Sequence, residues 1–222
     1  RSNTLEIIRI ECNKGGKMSD EIPVDIDHVK HSVGGAGGHW FRRFTHVSMC
    51  AIPLAYHLYG NEISNFVNLE PKEFVIAVAI AFIVIEAIRI KFGIIIVGQR
   101  EYEAKQVSAL AWGAVAVCLT LIIAPQEGDG LEAGKFTIPI ICGLTFIDPL
   151  MGEVKRAKMG MKNAIVIGMV GSYVVWLGCY ALFSTPLFYA VILAPFTVLG
   201  EIPRVKWIDD NATMIFFPLI IL

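Results

Sequence analysis

The sequence predicts an all-α fold: a polytopic, membrane-embedded helical bundle of about seven spans. Composition is the first observation, because 55% of the 222 residues are apolar and only 18% are charged. Ordinary soluble domains carry roughly 45–50% apolar and about 25% charged residues. The second is a mean hydropathy of +0.61, and the third is that the apolar residues gather into runs approaching the ~20 residues that cross a hydrocarbon core. This composition argues against a soluble globular enzyme and against disorder, which requires few apolar residues. A net charge of −1 argues against a nucleic-acid binder held by counterion release.

Residues 1–40 are polar, contain His28, His31 and His39, and end in the Gly-rich stretch 34–38. They read as a flexible cytosolic extension in which Met18 is an alternative start. No apolar run follows closely enough for a signal peptide, so insertion falls to the internal spans. The remainder, 41–222, reads as one membrane domain. Its first span, 44–60, is interrupted by polar residues. Spans 74–98 and 107–124 are long and strongly apolar; 136–151 again holds polar residues; 163–183 is long and apolar; 186–200 is short; and 212–222 is a partial span. No internal repeat suggests a transporter built from inverted halves. Cys12, Cys50, Cys118, Cys142 and Cys179 are scattered singly, which gives neither a disulfide framework nor a zinc site.

Alternate loops differ in basic charge. The N-terminal segment and loops 99–106, 152–162 and 201–211 hold 15 Lys and Arg, against 2 in loops 61–73, 125–135 and 184–185. Cytoplasmic loops carry such an excess, so the N-terminus is expected inside and the C-terminus outside. The outer loops collect Glu62, Glu70, Glu73, Glu127, Asp129 and Glu132.

An ionisable residue at a span costs at least about 2.5–3.5 kcal/mol on insertion scales, so each marks a functional candidate. Arg42, Arg43 and His46 open the first span, with Arg42 and His46 on one helical face. Alternatively, the arginines are a positive-inside anchor. Glu86 and Arg89, three apart within the second span, either neutralise each other structurally or serve a site. Asp148 arrives at the cytoplasmic mouth of the fourth span, before an expected break at Pro149 and Gly152 and the basic pair Lys155 and Arg156. A carboxylate beside Lys and Arg suits a metal-bound polyphosphate, with Asp148 on Mg²⁺ and the bases on phosphate oxygens. Finally Glu201, Asp209, Asp210 and Asn211 precede the last span. They supply oxygen ligands or a base for a hydroxyl, although a helix N-cap accounts for one of them. The basic-loop count, in which acids played no part, assigns all of these except Glu86 and Arg89 to the same face. There is neither a P-loop nor a kinase glycine loop.

These residues resemble the CTP-dependent polyprenol kinases, the dolichol and phytol kinases, which are related to CDP-diacylglycerol synthases. The resemblance rests on Arg42 to His46, on Glu86 and Arg89, on Asp148-Pro149-Leu150 with Gly152, Lys155 and Arg156, and on Glu201 followed by Asp209-Asp210-Asn211 and Pro218. It extends from residue 42 to 218. The chain departs from the family at Ile147, where a Gly usually precedes the Asp, and at Val170-Gly171-Ser172, in place of Glu-Gly-Ser.

The resemblance implies phosphoryl transfer from CTP to the terminal hydroxyl of a long isoprenoid alcohol, at a cytoplasm-facing site in the cell or endoplasmic reticulum membrane. It implies Asp148 and Asp210 on Mg²⁺; Asp209 or Asp210 for metal binding or deprotonation, oriented by Asn211; Lys155, Arg156, Arg42 and Arg43 on phosphates; and His46, Glu86, Arg89 and Glu201 in support. The expected partners are CTP, the alcohol, the bilayer and at most further copies of the chain. The alternatives are a lipid cytidylyltransferase of the CDP-diacylglycerol or CDP-archaeol synthase type, a transporter using Glu86, Arg89 and Asp148 as a charge relay, and a catalytically silent membrane protein.

Overall fold

The computed structural model describes residues 33–203, 205 and 208–222, and these are helical with no strand among them. The expectations placed on 1–32, including Cys12, Met18, His28 and His31, and on the bases Arg204 and Lys206, lie outside the described residues. Eight helices follow in order: α1 Gly35–Ser48, α2 Ala51–Asn65, α3 Pro71–Phe92, α4 Ala109–Ile123, α5 Thr137–Arg156, α6 Met161–Phe183, α7 Leu187–Gly200 and α8 Asp210–Ile221. Of these, α5 and α6 are long and apolar enough to cross a membrane.

Local chemistry sets the boundaries. Glu70 and Glu73 form a reciprocal capping box ahead of α3, Pro71 stands at its first position, and Gly93 ends it in the left-handed conformation. Ser108 Oγ accepts from Ala111 N to start α4, and Asp209 accepts from Asn211 N to start α8. The core is built on α5, whose Ile140, Ile141, Leu144, Ile147 and Met151 are fully buried against α4, α6, α7 and α8.

Three expectations need correction. The expected span 44–60 is not one helix; it divides at Met49 and Cys50 into α1 and α2. Pro53 explains this, because a continuous helix would drive its ring into the carbonyl of Met49 and would lack the hydrogen bond to it. The Gly-rich stretch 34–38 forms the first turn of α1 from Gly35 onward. Nor is there a break at Pro149 and Gly152: α5 runs through both to Arg156. Gly152 serves close approach instead, since a Cβ there would sit 2.5 Å from Arg43 Nη2.

Candidate functional site

Antiparallel neighbours bring the C-terminal ends of α3, α5 and α7 to the same end of the bundle as the N-terminal ends of α4 and α8. Three carboxylates meet there. Asp148 of α5, Glu201 just past α7, and Asp210 opening α8 each offer an oxygen, and these oxygens lie within 4.8 Å of one another. Glu201 reaches this point because Gly200 has no side chain. A Cβ on Gly200 would fall 2.5 Å from Met214 Cα and 2.6 Å from Met214 N. The absence of that carbon lets α7 lie on the backbone of α8, where Thr213 Oγ1 donates to Gly200 O at 2.5 Å.

Cations line the same end. Arg43 Nη1 is 3.6 Å from Asp148 Oδ2, and His46 Nε2 stands 3.4 Å from the same oxygen and 3.3 Å from Leu144 O. Lys155 Nζ donates to Glu201 Oε1 at 2.5 Å. Asn211 is held in place by donation from Nδ2 to Ala109 O at 3.2 Å, which ties α8 to the start of α4. Arg43 Nε and Glu201 Oε2 are buried without a hydrogen-bond partner among the described residues. Such atoms are expensive to leave unmade in a folded protein. Arg43 Nε does lie 3.7 Å from the Glu153 carboxylate, which leaves Glu201 Oε2 as the atom of the carboxylate cluster open to a ligand.

The charge balance points the same way. Burial, with Asp210 and Asp148 close by, pushes the Glu201 carboxyl up to about 9 despite Lys155. Burial and the Asp210 carboxylate likewise hold Asp209 well above the usual carboxylate range. Crowded carboxylates repel one another's charge until a cation joins them. The oxygen-only donor set of Asp148, Glu201 and Asp210 fits a hard divalent ion.

The remaining expected residues divide. Asp209 acts as the N-cap of α8. Arg156 does not reach the carboxylates; it pairs with Glu153 at 3.2 Å and lies 3.4 Å from His39 Nε2. Arg42 turns instead to Glu103, with Nη1 3.1 Å from Oε1. Glu86 and Arg89 form a closed unit away from the carboxylates. Arg89 donates to both Glu86 oxygens at 2.9 and 2.8 Å, and to the carbonyls of Ile94 and Gln106. Glu86 also accepts from Ser108 N at 2.6 Å. That unit clamps both ends of the 94–108 segment to α3.

Glu103 was missed by sequence reasoning. It is 2% exposed, yet as one of two acids, with Glu101, among the bases of a short loop, it has no periodicity or spacing that would single it out. Cys50, Cys118, Cys142 and Cys179 are free thiols, the last three buried and Cys50 half-buried. No family model, curated protein or solved structure matches the chain.

Proposed function

We propose that this chain is an integral membrane lipid kinase that transfers the γ-phosphoryl group of CTP to the terminal hydroxyl of a long isoprenoid alcohol. The observation that carries the proposal is the meeting of Asp148, Glu201 and Asp210 within 4.8 Å, flanked by Arg43 and Lys155. The resemblance of the sequence to CTP-dependent polyprenol kinases supplies donor and acceptor.

The exterior supports a bilayer setting. On α3, Ile76, Ile80 and Ile83 form an exposed stripe, and Val166, Val170, Val174 and Leu177 form another on α6. Water-soluble monomers rarely show apolar patches beyond a few hundred Å². In this reading the seven expected spans correspond to α2 to α8, of which α5 and α6 are long and apolar enough to cross on their own. Helices α2, α4, α7 and α8, of 15, 15, 14 and 12 residues, fall short of the ~20 of a full crossing. The excess of Lys and Arg in the loops at the carboxylate end supports a cytoplasmic orientation for it, where nucleotides are.

Phosphoryl transfer asks for positioning and charge neutralisation more than for covalent participation. Asp148, Glu201 and Asp210 would hold Mg²⁺, which when bound supplies charge neutralisation for the polyphosphate. Arg43 and Lys155 would meet phosphate oxygens. His46 and Leu144 O fix the Asp148 carboxylate, while Asn211 and the Asp209 cap fix the start of α8 and thereby Asp210. The test is lipid phosphorylation by Asp148→Asn and Asp210→Asn variants inserted as well as wild type. Loss of at least a hundredfold is expected from each, and wild-type rates would defeat the assignment.

A further inference from the structure

We infer that Glu103 is the seat for the hydroxyl of a bilayer-borne long-chain alcohol, whose apolar chain lies in a channel between the 94–99 segment and α4; this rests on the kinase reading above. An open cavity of about 510 Å³ beside the carboxylate end has Arg42, His46, Glu103 and Asn211 as its polar lining, with Met49 and Leu110 among its apolar walls. A second, of about 640 Å³, runs along Phe82, Ile85 and Ile88. The two share Ile96, Gln99 and Leu110. Together they make one path from the neighbours of Asp148 and Asp210 to the apolar exterior of α3, where Ile85 and Ile88 are exposed.

The polar end identifies the head group. Glu103 is almost fully buried, and its Oε1 already accepts from Arg42 Nη1 and from Arg100 N. Its Oε2 is buried and accepts no hydrogen bond among the described residues. A carboxylate oxygen is an acceptor only, so the ligand must bring a donor. A lipid phosphate brings negative charge to a carboxylate, whereas an alcohol brings one O–H. A hydroxyl on Glu103 with its chain beneath Ile96 and Leu110 satisfies the orphaned oxygen. It also places the reacting end beside His46 and Asn211, the neighbours of Asp148 and Asp210.

The experiment uses the full chain in lipid nanodiscs and measures binding of geranylgeraniol and of its methyl ether, which lacks the donor. A parallel arm compares a diacylglycerol with its methyl ether, to separate an isoprenoid from a glycerolipid source of the hydroxyl. Wild type is expected to bind geranylgeraniol about tenfold more tightly than the ether, the least that a hydrogen bond to a charged group contributes. Glu103→Gln can keep its contact with Arg42 but presents an amide N–H₂ donor in place of Oε2, so it is expected to bind alcohol and ether alike with CTP binding unchanged. Equal binding of alcohol and ether by wild type in both arms, or a preference retained in Glu103→Gln, overturns the seat. Should Glu103→Gln not fold, Leu110→Trp decides: filling the shared wall should weaken geranylgeraniol at least tenfold and leave a five-carbon alcohol unaffected, and equal effects overturn the channel. Alcohol preference without any γ-phosphoryl transfer from CTP removes the kinase reading and leaves the seat; transfer without preference does the reverse.

Discussion

Replacing Gly200 with alanine should damage the site without touching a charged group. The added Cβ would stand 2.5 Å from Met214 Cα and 2.6 Å from Thr213 O, both backbone atoms that cannot rotate away. Ordinary carbon contacts begin near 3.4 Å, so α7 and α8 must part by roughly 1 Å, a shift that well-packed interiors resist. Overpacking of this kind costs about 1–3 kcal/mol. The same displacement carries Glu201 away from Asp148 and Asp210, and a ~1 Å misplacement at a reacting centre can cost about a hundredfold in rate. The assay has two parts, thermal unfolding of the detergent-solubilised variant and lipid phosphorylation as a function of Mg²⁺. Gly200→Ala should unfold several degrees earlier and need more Mg²⁺ for half-maximal rate, whereas Gly200→Ser should be at least as poor. A variant with wild-type unfolding temperature and Mg²⁺ dependence would refute the claim that close helix contact positions Glu201.

Two further outcomes are expected. Glu86→Gln removes one partner of a buried pair whose side chains are 7% and 11% exposed, and breaking such pairs costs about 3–5 kcal/mol; unfolding measurements should show a large loss, and more accessible backbone amides at 94–108 by hydrogen exchange. Acidification should loosen α1, because burial, with Arg43 and Arg156 nearby, holds the His39 ring below its ordinary value of 6.5. A depressed value means that the folded state favours the neutral ring, so its contribution is intact above pH 6.5 and is lost as pH falls below that. Melting temperature should therefore drop between pH 7.5 and 5.5 by less in His39→Gln than in wild type, and an equal drop in both would contradict this.

Much of the helical order was legible in the sequence because hydropathy runs and basic loops are properties of contiguous residues. The expected runs 74–98, 107–124 and 163–183 each contain or nearly coincide with one helix, although α3 stops at Phe92. The Met49 and Cys50 division was legible in principle from Pro53, but the apolar run from 47 onward masks it. Continuation of α5 through Pro149 was not legible, since propensity says where a helix is weakened and packing decides whether it survives. At the site, Asp148, Glu201 and Asp210 were each marked by an acid at a span boundary. Asp209 took the capping role that its residue type allows. The partner of Arg42 was hidden, because Glu103 meets it across 61 positions of sequence. The choice between Lys155 and Arg156 was hidden as well: one turns to Glu201 and the other to Glu153 and His39, a difference of direction around α5.

The most direct measurement uses purified protein with CTP labelled at the γ-phosphate, Mg²⁺ and a series of alcohols from geranylgeraniol to dolichol, followed by extraction into organic solvent. A lipid kinase built on Asp148, Glu201 and Asp210 predicts label in the lipid phase that disappears on chelation of the divalent ion and in Asp210→Asn. Label reaching lipid only from the α-phosphate, or none with any alcohol while the protein is folded and inserted, would contradict it.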